Sequence, residues 1–348
     1  MRQTQAIPET FLGVGYTRDR AGLPLEAVRV PVPRPATDEV LIRVAASSLN
    51  PLEYKLADLN FMGRTPPVVL GLDLSGVVVA AGHDVQGVAV GDAVTAMADL
   101  NGNGGWSATG ESGGEGGYAV ARDFLTVRKP PSLSFRDAAA LPMCFLSAFA
   151  GIYGTVQTGD TVYIPGGGGG VGHLAVQMAA RALGAGLVIS SGSTPQSIAL
   201  ARQSGAHHVF DYKRDDIAAE IAKLTSGRGV DLVFDATYSE AGFVETAKTV
   251  RQGGSWNVLG VGPGKTTRLV ETHTARSMPS WLSAAPSVST SICCATFPNP
   301  PRSTARRRLF SSAGWLWRWS GRRRDWWSRT SARPSTAALR RSMRGCSH

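Results

Sequence analysis

The sequence predicts an α/β protein in which a β-rich front part precedes a doubly wound parallel sheet, followed by an aberrant, basic C-terminal segment. Three observations lead to this fold class. A turn made only of glycines joins an apolar strand to an amphipathic helix between residues 161 and 177. From residue 160 to 260, strand and helix patterns alternate regularly, and repeated βα units imply a parallel sheet with right-handed crossovers. Before residue 128, short strands separated by turns indicate a small barrel.

The front part, residues 1–128, contains the strands of this predicted barrel. Residues 38–48 alternate as a strand, and Asn50-Pro51 opens a short helix that runs through Lys55, because proline is tolerated in the first turn of a helix. A glycine-rich loop is expected after these elements. The remaining predicted elements are strands at 68–80, 92–97 and 117–122 and the loop at 99–117.

Residues 129–265 carry the alternation that predicts the parallel sheet. Two helices, at 134–140 and 144–157, lead into it. Five strands are readable, and a six-stranded dinucleotide-binding sheet would need one more from the segment after residue 265. The predicted strands are 160–164, 186–190, 207–210, 230–235 and 254–260, and the predicted helices are 171–183, 195–204, 214–225 and 240–250.

The glycine turn carries a dinucleotide-binding pattern. Gly167, Gly169 and Gly172 satisfy G-x-G-x-x-G in the strand–turn–helix context that the pattern requires. Without Cβ atoms the turn is tight and a pyrophosphate can approach the backbone, while the helix that opens at Gly170 and Val171 offers free N–H groups. The alternative is a flexible linker, but a linker would not join an apolar strand to an amphipathic helix.

Composition excludes several classes of protein. The chain of 348 residues is 43% hydrophobic, its N-terminus lacks the apolar segment of a signal peptide, and no run approaches the roughly 20 apolar residues that span a bilayer. Only Cys144, of four cysteines, lies in the first 290 residues, which argues against disulfides and a cysteine-based zinc site there. These observations predict a cytoplasmic enzyme without a membrane partner.

The net charge of +10 belongs to the last 83 residues. Residues 266–348 hold 15 Arg, no Lys and 2 acidic residues, together with six of the eight Trp, and apolar periodicity stops there. Three interpretations compete: a nucleic-acid-binding tail, a disordered tail, and translation in a shifted reading frame. Such a composition has little means of offsetting its ordering entropy, so we expect a disordered or poorly packed segment.

Codons favour the shifted frame. Trp has only the codon TGG, and reading Asp325-Trp326-Trp327-Ser328 one base earlier gives x-Leu-Val-Val, a strand-like sequence. Nucleic-acid binding by the interleaved Trp and Arg residues is therefore not expected to be functional.

Five separate motifs stand out in the sequence: LNPLEYK (49–55), LGLDLSG (70–76), LSAF (146–149), GGVG (169–172) and GAHHVFDY (205–212). Together they resemble the medium-chain dehydrogenase/reductase superfamily, most closely its zinc-independent quinone oxidoreductase and enoyl reductase branch. The resemblance spans about residues 25–262. It implies a GroES-like barrel, a Rossmann domain, NADPH in the cleft between them, a small-molecule substrate and a homodimer. The altered tail would remove the last Rossmann strand, the dimer edge and the return to the catalytic domain.

Zinc ligands of the superfamily are replaced in this chain. The zinc alcohol dehydrogenases have Cys where Asn50 stands and a His-Glu pair where Leu72 and Asp73 stand. Their four-cysteine lobe has no counterpart around residues 99–117, and the histidines show no ligand spacing. The resemblance therefore implies a zinc-independent enzyme. The histidines are His83, His173, His207, His208, His273 and His348.

The resemblance also implies which residues border the substrate and the nicotinamide: Asn50, Glu53 and Tyr54. The family usually has Asp where Glu53 stands, and Tyr54 could donate a hydrogen bond or a proton. Asn50 is equally a helix cap before Pro51, and both roles stay open. Ser147 matches a position near the nicotinamide and phosphates.

Cofactor choice depends on the end of the second strand of the sheet. Ser190 and Ser191 stand where NAD-binding folds place an acidic residue, and they leave room for a 2′-phosphate. Tyr212 matches a family position near that phosphate, with Lys213 and Arg214 adjoining it. These residues predict NADPH rather than NADH. The alternative is that the serines cap the next helix.

Two further positions complete the predicted site. Leu259 and Gly260 end the fifth strand, where the nicotinamide should enter, because ligands lie beyond the carboxyl ends of such strands. Cys144 is expected to be a small buried hydrophobic residue.

The predicted function is a zinc-independent, NADPH-dependent oxidoreductase that transfers hydride to a quinone, enone, enoyl or carbonyl substrate. Two alternatives stay open: an NAD(P)-dependent alcohol dehydrogenase without zinc, and a non-catalytic NADPH-binding protein.

Overall fold

The structure is a computed structural model that describes residues 6–18, 25–59, 64–98, 104–106, 117–237, 240–260 and 287–292. All of them belong to one compact unit, Met1–Ser311. Most of the predicted glycine-rich loop at 99–117 and most of the segment 266–348 lie outside the described residues, so the predictions for both stay predictions. Within the part of the chain that is described, no helix combines the length and apolarity needed to cross a membrane.

The front part consists of antiparallel strands and one helix. The strands are β1 (Thr10–Tyr16), β2 (Glu26–Pro31), β3 (Glu39–Ser48), β4 (Val68–Val69), β5 (Asp73–Ala81), β6 (Ala93–Met97), β7 (Tyr118–Arg122) and β8 (Thr126–Arg128), and helix α1 is Pro51–Leu59. They form a three-stranded sheet in the order β2-β1-β4 and a curled five-stranded sheet in the order β7-β3-β5-β6-β8. The predicted β-rich front part is confirmed, and its strands are antiparallel.

The predicted strand at 68–80 is interrupted. Its first two residues pair with β1, whereas β5 pairs with β3 in the other sheet. Between them Gly71 has φ +98°, the left-handed region that glycine adopts without strain. The backbone N–H groups of Gly71 and Leu72 donate to the Glu53 carboxylate at 3.3 and 2.8 Å. The Glu53 side chain of α1 therefore fixes the break between β4 and β5. The local sequence pattern does not reveal this contact.

Two helices, α2 (Phe135–Ala139) and α3 (Pro142–Ile152), lead from the front part to the second sheet. The structure begins and ends α3 earlier than the predicted range of 144–157. Pro142 occupies the first turn, where its missing N–H costs no hydrogen bond. After Ile152 the chain leaves the helix, because Tyr153 is extended and Gly154 has φ +81°.

The second part is the predicted doubly wound sheet. Its elements are β9 (Thr161–Ile164), α4 (Gly170–Gln177), β10 (Leu187–Gly192), α5 (Pro195–Ser204), β11 (His208–Asp211), α6 (Ile217–Leu224), β12 (Val230–Asp235), α7 (Glu240–Ala247), β13 (Val250–Gly260) and β14 (Ser287–Ile292). The strand order is β11-β10-β9-β12-β13-β14, and every neighbouring pair is parallel. The α/β fold class is confirmed.

A sixth strand, β14, lies within the segment 266–348, where the sequence analysis expected the last strand of the sheet to be missing. Strand β14 pairs with β13 from Ser255↔Ser287 to Gly260↔Ile292. Val288, Thr290 and Ile292 place β-branched residues at every second position, a pattern that favours a strand. The Arg- and Ser-rich composition around this short run concealed the pattern in the sequence.

Apolar clusters cover both faces of the parallel sheet. On one face, Ala148 of α3 and Val176 of α4 pack with Ile164 of β9. On the other face, Ile221 of α6 packs with Tyr163, the neighbour of Ile164 in β9, because successive side chains of a strand point to opposite faces. The strand order reverses between β9 and β12, so a crevice is expected at the carboxyl ends of these two strands.

Candidate cofactor and substrate site

The glycine turn lies at the carboxyl end of β9, beside this crevice. Gly166 has φ +67°, and its carbonyl accepts the N–H of Gly169 at 2.8 Å, which closes a tight turn. Gly169 precedes the first residue of α4, and both Gly169 and Gly170 are exposed. The first N–H groups of a helix have no partner within that helix, so this end of α4 can accept an anion.

Packing requires two of the three glycines of the motif. A Cβ atom at Gly167 would overlap Ser190 Oγ, and one at Gly172 would overlap the backbone of Gly166. Gly169 differs: its φ is −86°, and the nearest atom to an added Cβ would be the Gly166 carbonyl oxygen at 3.2 Å. A small side chain at Gly169 would therefore require the turn to shift by only a few tenths of an ångström, whereas the same side chain would obstruct a pyrophosphate bound on the turn.

Ser190 and Ser191 are used inside the protein. Both are almost fully buried. Ser190 Oγ donates to the Ile164 carbonyl at 2.7 Å and accepts the Gly167 N–H at 3.0 Å. Ser191 Oγ lies 3.0 Å from the Tyr163 hydroxyl, whose pKa is raised by burial. These hydroxyls therefore hold the strands and the glycine turn in place instead of facing the position predicted for a 2′-phosphate.

The alternative, that the serine loop at 190–193 caps the next helix, agrees with the start of α5 at Thr194-Pro195, although the capping side chain is Thr194 and not a serine. Thr194 is the N-cap of that helix: its side chain accepts the Ser197 N–H at 3.1 Å, and the Ser197 hydroxyl accepts the Thr194 N–H at 3.1 Å. This reciprocal arrangement is a capping box.

Exposed residues stand beside the end of β10. The Tyr212 N–H donates to the Gly192 carbonyl at 3.2 Å, and the Tyr212 side chain is 54% exposed. Lys213 and Arg214 follow it and are exposed. The Arg214 guanidinium lies 3.5 Å from the Asp211 carboxylate. The structure thus places a phenol and two cations at the sheet edge where the sequence predicts the 2′-phosphate.

Asn50 contacts Asp73 across the front part. Asn50 Nδ2 donates to Asp73 Oδ2 at 3.0 Å, and only the main-chain carbonyl of Asn50 serves the helix start, by accepting the Glu53 N–H at 2.9 Å. Asp73 is fully buried and also accepts the Met143 N–H at 3.0 and 3.1 Å. Burial raises the pKa of Asp73 to about 7, although the Asn50 and Met143 hydrogen bonds oppose that rise.

Glu53 and Tyr54 differ sharply in exposure. Glu53 is 1% exposed, and its carboxylate serves the chain break at residues 71–72. Burial raises its pKa, while backbone hydrogen bonds and the nearby Arg64 lower it. Tyr54 is 57% exposed. Of the three residues predicted to border the substrate, only Tyr54 projects into solvent.

Cys144 lies between the front part and the glycine turn. Its Sγ is 3.9 Å from Asn50 Oδ1, and a Cβ atom added at Gly170 would lie 3.1 Å from the same sulfur. Burial raises the pKa of the thiol to about 11, and the Asp73 charge adds to that rise, so the sulfur stays protonated at neutral pH. Ser147 lies one turn further along α3 and is buried.

Three polar residues that the sequence analysis did not select lie near the carboxyl ends of β12 and β13. Asn257 Nδ2 donates to the Gly151 carbonyl at 2.6 Å and so ties β13 to α3. The buried Asp235 carboxylate accepts the Thr237 N–H at 2.9 Å. In the sequence, these residues could have been selected because a polar residue stands at the carboxyl end of an otherwise apolar strand. Leu259 is buried in the core beside α3 and α4, and Gly260 ends β13.

The residues that occupy the superfamily's zinc positions do not match zinc. Among the described residues, no three His, Cys, Asp or Glu side chains converge as a metal site. Zinc in proteins takes mainly Cys and His ligands. Here the donors are the Asn50 amide and the carboxylates of Asp73 and Glu53, whose oxygens already accept hydrogen bonds.

The described residues form a dinucleotide-binding type of fold, with an antiparallel front part and a six-stranded parallel sheet. Residues 36–130 match the alcohol dehydrogenase GroES-like domain, and residues 170–298 match the zinc-binding dehydrogenase family, so the second match reaches into the basic segment. The chain belongs to the medium-chain dehydrogenase/reductase superfamily, in its quinone oxidoreductase-like branch.

Named relatives give the comparison more detail. A 2-methylene-furan-3-one reductase of Solanum lycopersicum is 33% identical over 66% of this chain and 57% of its own length. The quinone oxidoreductase of Coxiella burnetii has a TM-score of 0.64 and 27% identity, covering 81% of this chain and 83% of that one. A mycobacterial protein in complex with NADPH has a TM-score of 0.61 and 26% identity, covering 81% and 80%. The chain spans less than two thirds of the length of the curated relatives that it matches.

Proposed function

We propose that this protein is a zinc-independent oxidoreductase that uses NADPH to reduce a quinone or an enone. The observation that carries the proposal is the exposed turn at Gly169 and Gly170, which starts α4. A Cβ atom added at Gly170 would lie 3.1 Å from the sulfur of Cys144, whose thiol donates to Asn50. A pyrophosphate bound at this helix start would direct the rest of the cofactor along the carboxyl ends of the strands. When bound, the reduced nicotinamide supplies the hydride.

The cofactor's two ends would be held by different residues. We assign the 2′-phosphate to Tyr212, Lys213 and Arg214, because they are exposed at the end of β10, whereas the Ser190 and Ser191 hydroxyls are already engaged. Two cations and a phenol suit a phosphate. Ser147, Val171, Leu259 and Gly260 are assigned to the nicotinamide side of the turn.

The substrate class follows from the names of relatives and from the chemistry of the site. The tomato relative is named as a methylene-furanone reductase, and the Coxiella structure is that of a quinone oxidoreductase. Both substrates join a C=C bond to a carbonyl, so hydride added to the β-carbon pushes electron density onto oxygen, and a proton completes the reduction. Tyr54, as an exposed hydroxyl, is assigned as the proton donor.

Turnover measurements test this proposal. We expect consumption of NADPH with a benzoquinone and with a methyl vinyl ketone, and weaker use of NADH. Oxidation of simple alcohols with NAD as the preferred cofactor would support a zinc-free alcohol dehydrogenase. NADPH binding without turnover of any acceptor would support a cofactor-binding protein. Either result contradicts the proposed reductase. Unchanged rates after exhaustive chelation are expected from zinc independence.

Other features of the chain remain part of the proposal. They are the boundaries 1–128, 129–265 and 266–348, the homodimer, the cytoplasmic location and the shifted reading frame. The coding DNA around codons 262–275 tests the last of these, since a single insertion or deletion there would separate two frames.

A further inference from the structure

Asp73 joins three elements of the fold through one carboxylate. Its Oδ2 accepts the Asn50 amide, and both oxygens accept the N–H of Met143 in the first turn of α3. Asn50 directly precedes α1, and Asp73 is the first residue of β5. Helix α3 packs with α4, the helix that follows the glycine turn. The buried Asp73 side chain thus connects Asn50, the residue predicted to border the substrate, with α3, which packs against the helix that follows the glycine turn.

This connection decides which way the Asn50 amide faces. An amide has one oxygen acceptor and one NH₂ donor, and an ionised carboxylate only accepts. When Asp73 is ionised, the NH₂ group points to it, at 3.0 Å from Oδ2, because the flipped amide would set two oxygens against each other. Oδ1 then lies on the side of Cys144, whose thiol donates to it at 3.9 Å, and a Cβ atom added at Gly170 would lie 3.1 Å from the same sulfur. Asn50 consequently presents an acceptor towards the glycine turn.

Stability alone does not account for a carboxylate at this position. Removing a carboxylate from water is costly, and the groups around Asp73 are the Asn50 amide, the Met143 N–H, the carboxylate of Glu53 and the thiol of Cys144. A neutral hydroxyl would satisfy the start of α3 as well. What a hydroxyl could not do is accept from Met143 and Asn50 with two separate oxygens.

We propose that Asp73 is a positioning residue for the proposed reduction: it holds the Asn50 amide so that Oδ1 faces the glycine turn. This inference rests on the proposed function. Asp73 itself touches neither cofactor nor substrate in this account. Its effect on hydride transfer passes through Asn50, so removing Asn50 should make Asp73 irrelevant to the chemical step.

The test compares Asp73→Asn, Asp73→Ser, Asn50→Ala and the double variant Asp73→Ser/Asn50→Ala in the full chain. Asp73→Ser keeps an acceptor for the start of α3, so it covers the case in which Asp73→Asn fails to fold. Asp231→Asn serves as the control, since it weakens the other end of the parallel sheet without touching the site. Two quantities are measured: the single-turnover rate of NADPH oxidation by a benzoquinone, and the NMR signals of the Asn50 side-chain amide.

We expect Asp73→Ser to slow hydride transfer about tenfold or more, the usual effect of losing a hydrogen bond to a charged group, with less than about threefold change in the Kd for NADPH. The double variant should be no slower than Asn50→Ala. Asp231→Asn should lower the melting temperature without slowing the reaction. Additive effects of Asp73→Ser and Asn50→Ala, or a wild-type rate in Asp73→Ser, would overturn the proposal.

The NMR measurement separates this inference from the proposed function. If the wild-type protein binds NADPH but reduces no acceptor, the proposed function fails. The amide signals then still show whether Asp73 holds the Asn50 side chain in place. We expect the Asn50 NH₂ protons to be slow to exchange in the wild type and fast in Asp73→Ser. Identical signals in both proteins would show that Asp73 does not hold the amide.

Discussion

The Ser190 hydroxyl accepts the backbone N–H of Gly167 at 3.0 Å, and this bond ties the end of β10 to the glycine turn after β9. The same hydroxyl donates to the Ile164 carbonyl, so one buried side chain satisfies two backbone groups of the turn. Ser190 therefore shapes the surface on which the proposed pyrophosphate rests, and it does so from inside the sheet.

Replacing Ser190 with Ala should destabilise the protein and the turn together. The buried Gly167 N–H and the Ile164 carbonyl would each lose a partner, at a cost of about 1–3 kcal/mol in the free energy of unfolding. Denaturant unfolding measures this loss. The Kd for NADPH and the Kd for NADH should both rise by the same factor. A selective loss of NADPH binding at unchanged stability would instead mean that the hydroxyl contacts the 2′-phosphate.

Replacing Lys213 or Arg214 with Glu should act on NADPH alone. Each change replaces a cation by an anion at the edge assigned to the 2′-phosphate. It should raise the Kd for NADPH about tenfold, equivalent to about 1.4 kcal/mol, and leave the Kd for NADH unchanged. Lys223→Glu is the matched control, because Lys223 is equally exposed but lies on α6 and pairs with Glu220. If Lys223→Glu weakened NADPH binding equally, the effect would come from the overall charge of the protein and not from contact with the 2′-phosphate.

Asp231 should give a pH-dependent contribution to stability. Partial burial opposes its charge, but hydrogen bonds from Arg228, the Thr161 N–H and Arg251 outweigh this and hold the pKa of the carboxyl well below its usual range. Because the folded-state pKa is depressed, the stabilisation is present above about pH 4, the ordinary Asp pKa, and is lost as the pH falls below it.

Asp231→Asn should therefore lower the free energy of unfolding at pH 7 by about 1–3 kcal/mol and have less effect at pH 3. Urea unfolding of both proteins across this range checks the expectation. A difference that stays constant from pH 7 to pH 3 would show that the ionised carboxylate is not what stabilises the sheet.

Local signals in the sequence were sufficient for the first five strands of the parallel sheet. Helix α5 has the predicted bounds, since Thr194 caps its start and Gly205, at φ +114°, ends it. The G-x-G-x-x-G pattern identified the turn because two of its glycines, Gly167 and Gly172, are needed there for packing. In both cases the information lies within a few residues of the feature that it specifies.

The remaining features depend on contacts between distant parts of the chain. Glu53 fixes the break at Gly71, and Asp73 orients Asn50, although neither pair is close in sequence. Ser190 was selected correctly as an unusual residue, but its partner, the turn at Gly167, became visible only in three dimensions. A polar side chain in a motif does not reveal whether a ligand or the protein's own backbone uses it.

The most direct test of the central claim is a titration of NADPH into wild-type protein, Gly169→Val and Gly172→Val, with NADPH fluorescence as the signal and thermal unfolding recorded in parallel. Gly169 has an ordinary φ, and its added Cβ would meet the Gly166 carbonyl oxygen at 3.2 Å, so its variant should melt closer to the wild-type temperature than Gly172→Val yet bind NADPH at least about tenfold more weakly. Gly172→Val should lose stability, because its side chain would overlap the Gly166 backbone. Wild-type affinity in a folded Gly169→Val protein would contradict a cofactor pyrophosphate on this turn.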